Sequence, residues 1–236
     1  MKRFYDNVSV HQLESGGYGL SLDAKPVKTS AGHVIECANE KIVSVVAKEW
    51  DAQREDINPA TMPMTQILST IIDTDESMRA EMSARILPYV DTDLLCYRTA
   101  QPSELKDRQE DVWGKPLSWF HAEYGHEFLT TYDLVALKQP QPIHDVFTSA
   151  LSGFDQTAFG IFQITTSMTG SIILALAFVK KAMTAEQVYN AVFVDEFYRG
   201  EIYDEKKYGV DPMQEKQRHT TLQDLTAMEL LVHSSL

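Results

Sequence analysis

The chain has 236 residues and 44% hydrophobic content, enough for one large domain or two small ones with a real core. Its 34 acidic against 21 basic residues leave a net charge of −13, which argues against nucleic acid or an anionic lipid surface as partner, since both reward clustered bases. The most apolar run, Ile172–Val179, is far shorter than the ~20 residues a bilayer requires, so a buried helix is expected there.

The first 40 residues read as short strands. Val8 and Val10 alternate within Tyr5–Leu13, Gly16-Gly17 marks a turn, and Tyr18–Leu22 alternates again before a hairpin turn at Asp23-Ala-Lys-Pro26. Val27 and His33–Cys37 complete a small antiparallel sheet. Ile42, Val46 and Trp50 recur at helical spacing and predict a helix over 40–53, packed on that sheet. Asn58-Pro59 and Pro63 interrupt the pattern, and Met64, Ile67, Leu68 and Ile71 restart it. Helices are therefore expected at about 64–73 and 76–89. Leu94-Leu-Cys-Tyr97 is too brief for a helix and reads as a strand returning to the N-terminal sheet. A loop at Ala100–Ser103 then divides the chain into an α+β domain, 1–100, and an all-α helical bundle, 101–236.

Beyond that loop, Ser103 is expected to cap a helix through Trp113, and Pro116 to begin a second around Trp119-Phe120. Residues 126–141 have no clear type. Ile143, Val146, Phe147 and Ala150 mark the next helix, Asp155 caps another, and Thr169-Gly170 separates it from the buried helix at about 171–181. Thr184-Ala-Glu-Gln187 is a capping box, and the helix it opens is expected to run to about Lys207. Gly209 stops that helix and Asp211-Pro212 starts the last one.

Motifs that would carry catalysis are missing. Gly16-Gly-Tyr-Gly19 has no lysine and no following helix, so it is a hairpin turn and no phosphate loop. No serine sits in a Gly-x-Ser-x-Gly frame, and Cys37 and Cys96 lack the spacing of a zinc or redox pair. They read as reduced thiols. His121 and His126 would sit ~140° apart on a helix, which is poor geometry for a shared metal. Asp91-Thr92-Asp93 reads as turn chemistry, with an Asx side chain holding its own backbone. An enzyme with a site between the two domains would draw on Thr61, Asp91, Asp93 and Arg98. The helix from 185 differs in kind: Phe197, Tyr198, Tyr203 and Tyr208 stand among Asp195, Glu196, Glu201, Asp204 and Glu205. Aromatics rimmed by charge suit a surface that grips another protein, although a solvated helix face accounts for the charge equally well.

Several stretches, in order, resemble the ATP12 family of chaperones. They are Lys2-Arg3-Phe4-Tyr5, Leu22–Thr29, Glu49-Trp-Asp-Ala-Gln53, Ile57–Thr65 with its Thr-Met-Pro, and Tyr89–Arg98 with its Asp-Thr-Asp-Leu-Leu-Cys-Tyr-Arg. Gln109 with Trp113, the Ser171–Ala177 helix and Tyr208–Asp211 complete the set. The resemblance implies an α+β part followed by a helical bundle. It also implies a non-enzymatic role in assembly of the F1 sector of ATP synthase, holding the unassembled α subunit until β subunits replace it. No cofactor, metal, nucleic acid, membrane insertion or small-molecule substrate is implied. No apolar signal region follows Lys2-Arg3, so a bacterial, cytoplasmic member is expected. The family's functional acid lies in the penultimate helix. Glu196 is the first match, with Glu201 and Glu205 as alternatives and Phe197 and Tyr198 as neighbouring contacts. The chain departs from the family at Asp23-Ala-Lys, where Asp-Gly-Arg is favoured. A client-unspecific holdase is the remaining alternative to the dedicated chaperone and the enzyme.

Overall fold

A computed structural model describes residues 1–14, 16–203, 207 and 209–234. Strands β1 (Val8–Gln12) and β2 (Tyr18–Leu22) pair antiparallel, Val8 opposite Leu22. Strands β3 (Lys25–Pro26) and β4 (Glu36–Cys37) both pair with β2 to complete a four-stranded sheet. Asp23 and Ala24 form the expected hairpin turn with φ of 46° and 66°. Both angles are left-handed, as a two-residue loop with a strand-matching twist requires. Asp6 and Asn7 donate their backbone N–H groups to the Asp23 carboxylate, which pins the turn to the N-terminal segment.

Helix α1 (Glu40–Asp51) lays Ile42, Val43 and Val46 on the sheet, and its N-cap Asn39 accepts from Lys41 N–H. Glu49 reaches from α1 to the first turn of α2 (Pro63–Asp73), where Oε1 accepts from Met64 N at 2.8 Å and Oε2 from Thr65 N at 2.8 Å. The same Oε2 accepts from Thr65 Oγ1 at 2.6 Å. A carboxylate there satisfies helix-terminal amides and complements the helix dipole. The Glu49-Trp-Asp and Thr-Met-Pro motifs are thereby parts of one joint. Tyr5 adds a bond from its hydroxyl to Trp50 O at 2.7 Å.

Next come α3 (Glu76–Ile86), α4 (Tyr89–Thr92) and a 3₁₀ turn at Leu94–Cys96. The strand expected at 94–97 does not form. Asp93 Oδ1 accepts from Leu95 N at 2.9 Å, which curls the backbone, and Leu95 and Cys96 are wholly buried. Tyr97 pairs only as a single parallel bridge with Thr131, away from the N-terminal sheet.

Helix α5 (Ser103–Tyr124) is one 22-residue element in place of the two expected. Ser103 is its first residue and makes no capping bond, while Pro116 lies inside it. The amide lost at Pro116 is tolerated because Trp113, Pro116 and Phe120 are all buried along one face. Helices α6 (Gln141–Gly153), α7 (Gln156–Thr169) and α8 (Ile172–Val179) follow, and α8 is enclosed from Ile172 to Phe178. The helix expected over 185–207 breaks at Phe193 into α9 (Ala185–Val192) and α10 (Val194–Ile202). Helix α11 (Pro212–Ser234) closes the described chain, with Asp211 Oδ1 accepting from Met213 N.

Apolar packing runs across residue 100. Helix α2 rests on α1, α7 and α11, α7 packs on α8, and α11 packs on α9. Gly160 permits the α2–α7 approach, since a Cβ there would stand 2.7 Å from Ile71 Cγ1. Asp93 lies at the centre of this core with no solvent exposure. Its carboxylate accepts from Leu95 N, from Ser171 Oγ at 2.9 Å and from Ile173 N at 3.0 Å, at the start of α8. Ser171 Oγ in turn accepts from Leu174 N. Burial pushes the Asp93 carboxyl up to about 6, against the pull of these donors.

Candidate partner-binding surface

Three side chains of α5 hold the next two helices on it, Gln109 and Arg108 bonding α10 and Trp113 bonding α9. Gln109, buried, donates from Nε2 to Asp195 Oδ1 at 2.8 Å and accepts on Oε1 from Thr99 N at 2.8 Å. Trp113 donates its indole N–H to Ala191 O at 2.7 Å. That carbonyl lies two residues before Phe193, where the helix breaks between α9 and α10. Arg108 forms a two-pronged pair with Glu201 at 2.9 and 2.6 Å. Its guanidinium also stands 5.3 Å from the Tyr198 ring. Arg108 holds the Glu201 carboxyl below its ordinary value, and the pairing raises Arg108 in return.

Phe197 packs with Tyr189 and Phe193 at ring separations of 5.7 and 6.3 Å, and the Arg218 guanidinium of α11 lies 5.9 Å from its ring. Glu196 pairs within its own helix, with Arg199 at 3.4 Å one turn on, and its side chain is 33% exposed against 61% for Glu201. Glu196 and Glu201 sit about 140° apart round the helix, so they do not share a face. Beyond them, Ile202 and Tyr203 are 59% and 72% exposed. The structure thus brings Glu196, Phe197, Tyr198 and Glu201 onto one short helix, with Glu201 committed to α5. Glu205 and Tyr208 lie outside the described residues.

Gln109 and Trp113 anchor the α9–α10 junction, a role that no motif in the sequence announces. The four-residue spacing, which puts both on one helix face, was the available signal. The residues considered for an interdomain enzyme site do not converge. Thr61 Oγ1 bonds Gln53 and Asn58 O, and Asp91 is occupied by Gln139 N, Lys138 and His144. Arg98 Nε donates to Leu95 O at 3.2 Å, and Asp93 has no access to solvent. Both cysteines are free, with the Cys96 thiol pushed well up by burial. Among the described residues, no group of three or more side chains could hold a metal, and no helix is long and apolar enough to cross a membrane.

Residues 2–121 match the model of the ATP12 chaperone protein family. The crystal structure of Atp12 from Paracoccus denitrificans is 25% identical over 100% of this chain and 98% of that one, with a TM-score of 0.81. The Atu1473 protein from Agrobacterium tumefaciens is 32% identical over 99% of this chain and 85% of that one, with a TM-score of 0.84. With half of its length covered by the family model and its whole length by these structures, the chain belongs to the ATP12 chaperone family.

Proposed function

We propose that the protein assists assembly of the F1 sector of ATP synthase by binding the unassembled α subunit, without catalysing a reaction. A subunit outside its hexamer exposes apolar interface that self-associates unless covered. A cover that must later be released is best made of limited apolar area with a charged rim. The observation that carries this reading is the end of α10, where exposed Ile202 and Tyr203 follow the partly buried aromatics Phe197 and Tyr198, with Glu196 beside them. In this reading Glu196 pairs with a basic group of the client, and Glu201 keeps the helix seated on α5 through Arg108.

The test is capture of purified α subunit at physiological salt by the wild-type protein and by Glu196→Lys. The expected result is weakened capture with stability within about 0.5 kcal/mol of wild type, the usual range for a surface change. Capture unaffected by the substitution removes Glu196 from the surface. A wild-type protein that ignores α subunit, or restrains unrelated aggregating proteins equally well, refutes the dedicated role.

A further inference from the structure

Helix α5 separates two exposed apolar clusters, and its own outer crest is acidic. On one flank stand Ile202 and Tyr203, held near α5 by the Arg108–Glu201 pair. On the other flank the segment 126–140 turns outward and presents a fully exposed Leu134 beside Val135, which is 55% exposed. This tip stands on an ordered base. Thr131 N donates to Cys96 O at 2.8 Å, Arg98 N to Thr131 O at 2.8 Å, and Leu137 N to Tyr97 Oη at 3.1 Å. Tyr132 Oη donates to Glu110 at 2.7 Å, and Lys106 lies 5.4 Å from the Tyr132 ring.

At about 100° per residue, Lys106 and Glu110 on α5 face the segment's flank and Arg108 faces the α10 flank. Glu104, Asp107 and Asp111 occupy the arc between them, spaced three and four apart and all exposed, with Lys115 on the same arc paired to Asp111 at 3.3 Å. The two apolar clusters are therefore separated by an acidic ridge about one helix diameter wide, roughly 10–12 Å.

We propose that the Leu134–Val135 tip, the Glu104/Asp107/Asp111 ridge and the Ile202–Tyr203 end of α10 form one two-anchor docking surface. Its occupant is a client segment with basic side chains between two apolar ones. The charge selects this occupant: a second copy of the chain would bring its own acidic ridge and net charge of −13 against the first. A tip tied at both ends loses little freedom when it binds, so its apolar contact is not spent on ordering. The inference rests on the proposed α-subunit client and adds the second anchor and the ridge to it.

The test measures binding of purified F1 α subunit across a salt titration, with the wild-type full chain and two variants. Leu134→Ser with Val135→Ser is expected to weaken binding about tenfold or more, as loss of an anchor does. Asp107→Lys with Asp111→Lys is expected to weaken binding and flatten its salt dependence. Both pairs are exposed and only the Asp111–Lys115 pair is lost, so melting temperatures should stay within about 4 °C of wild type. If the wild-type protein does not bind α subunit, the proposed client falls and this surface with it. Wild-type binding that both variants retain unchanged overturns this surface alone. Self-association of the wild type that Leu134→Ser with Val135→Ser abolishes would assign the tip to a second copy and overturn it too.

Discussion

Substituting Asp93 by Asn tests the buried carboxylate with its size and shape conserved. Burial raises the Asp93 carboxyl from 3.8 to about 6, so the folded chain holds that proton more tightly than the unfolded chain. The stability this confers is fully present below about 3.8 and is lost as pH rises through about 6. A rise of that size is worth about 3 kcal/mol at 1.36 kcal/mol per pH unit. Asn cannot titrate. Its amide N–H₂ must also face either Leu95 N–H or Ile173 N–H, so the variant carries a fixed offset at every pH. The informative quantity is therefore the slope. Thermal melts of both proteins from pH 4 to 7 should show the wild-type advantage shrinking by roughly 6–12 °C for a chain of this length. Carboxyls whose values are lowered in the fold, such as Asp23, Asp73 and Asp91, stabilise in the opposite sense as pH rises. They are common to both proteins and cancel in the difference. A difference that stays flat or widens with pH would refute the claim that desolvation governs this carboxylate.

Gly160→Ala should destabilise by about 1–3 kcal/mol despite the better helix propensity of Ala, because its Cβ meets Ile71. Combined with Ile71→Ala, the cost in urea unfolding should fall below the sum of the single changes; strict additivity would disprove the contact. Ala24→Gly should stabilise by about 0.5–1 kcal/mol, since Ala24 holds φ of 66°, where an L side chain is strained. A lower denaturation midpoint for that variant would contradict the strain argument.

The parts of the fold that were legible in the sequence are those whose physics is local. Thr184 and Gln187 close a reciprocal cap within one turn, and Asp155 accepts from Ala158 N three residues on. The Asp23-Ala24 hairpin is likewise set by its own backbone angles. Failures occurred where a distant group decided the outcome. Leu94–Cys96 has strand-like composition but is curled and buried by an acid whose remaining partners are Ser171 and Ile173. Pro116 resembles a helix start, yet α5 continues through it because Trp113 and Phe120 pack the same face. Beside the break at Phe193, the Ala191 carbonyl is met by the Trp113 indole from 78 residues earlier. The aromatic-and-acid composition of α10 was visible, but its division of labour was not, because Arg108 that claims Glu201 is 93 residues away. The apolar tip at Leu134 lay in the one stretch whose periodicity gave no type.

Helix α11 has a consequence for biosynthesis. It supplies Leu225, Met228 and Leu231 to the core, and it covers faces of α1 and α2 made from residues of the first third of the chain. In a chain made from its N-terminus, that early hydrophobic joint stands uncovered until α11 has been made and has packed on it. The molecule thus carries an incomplete core of its own until its closing helix docks.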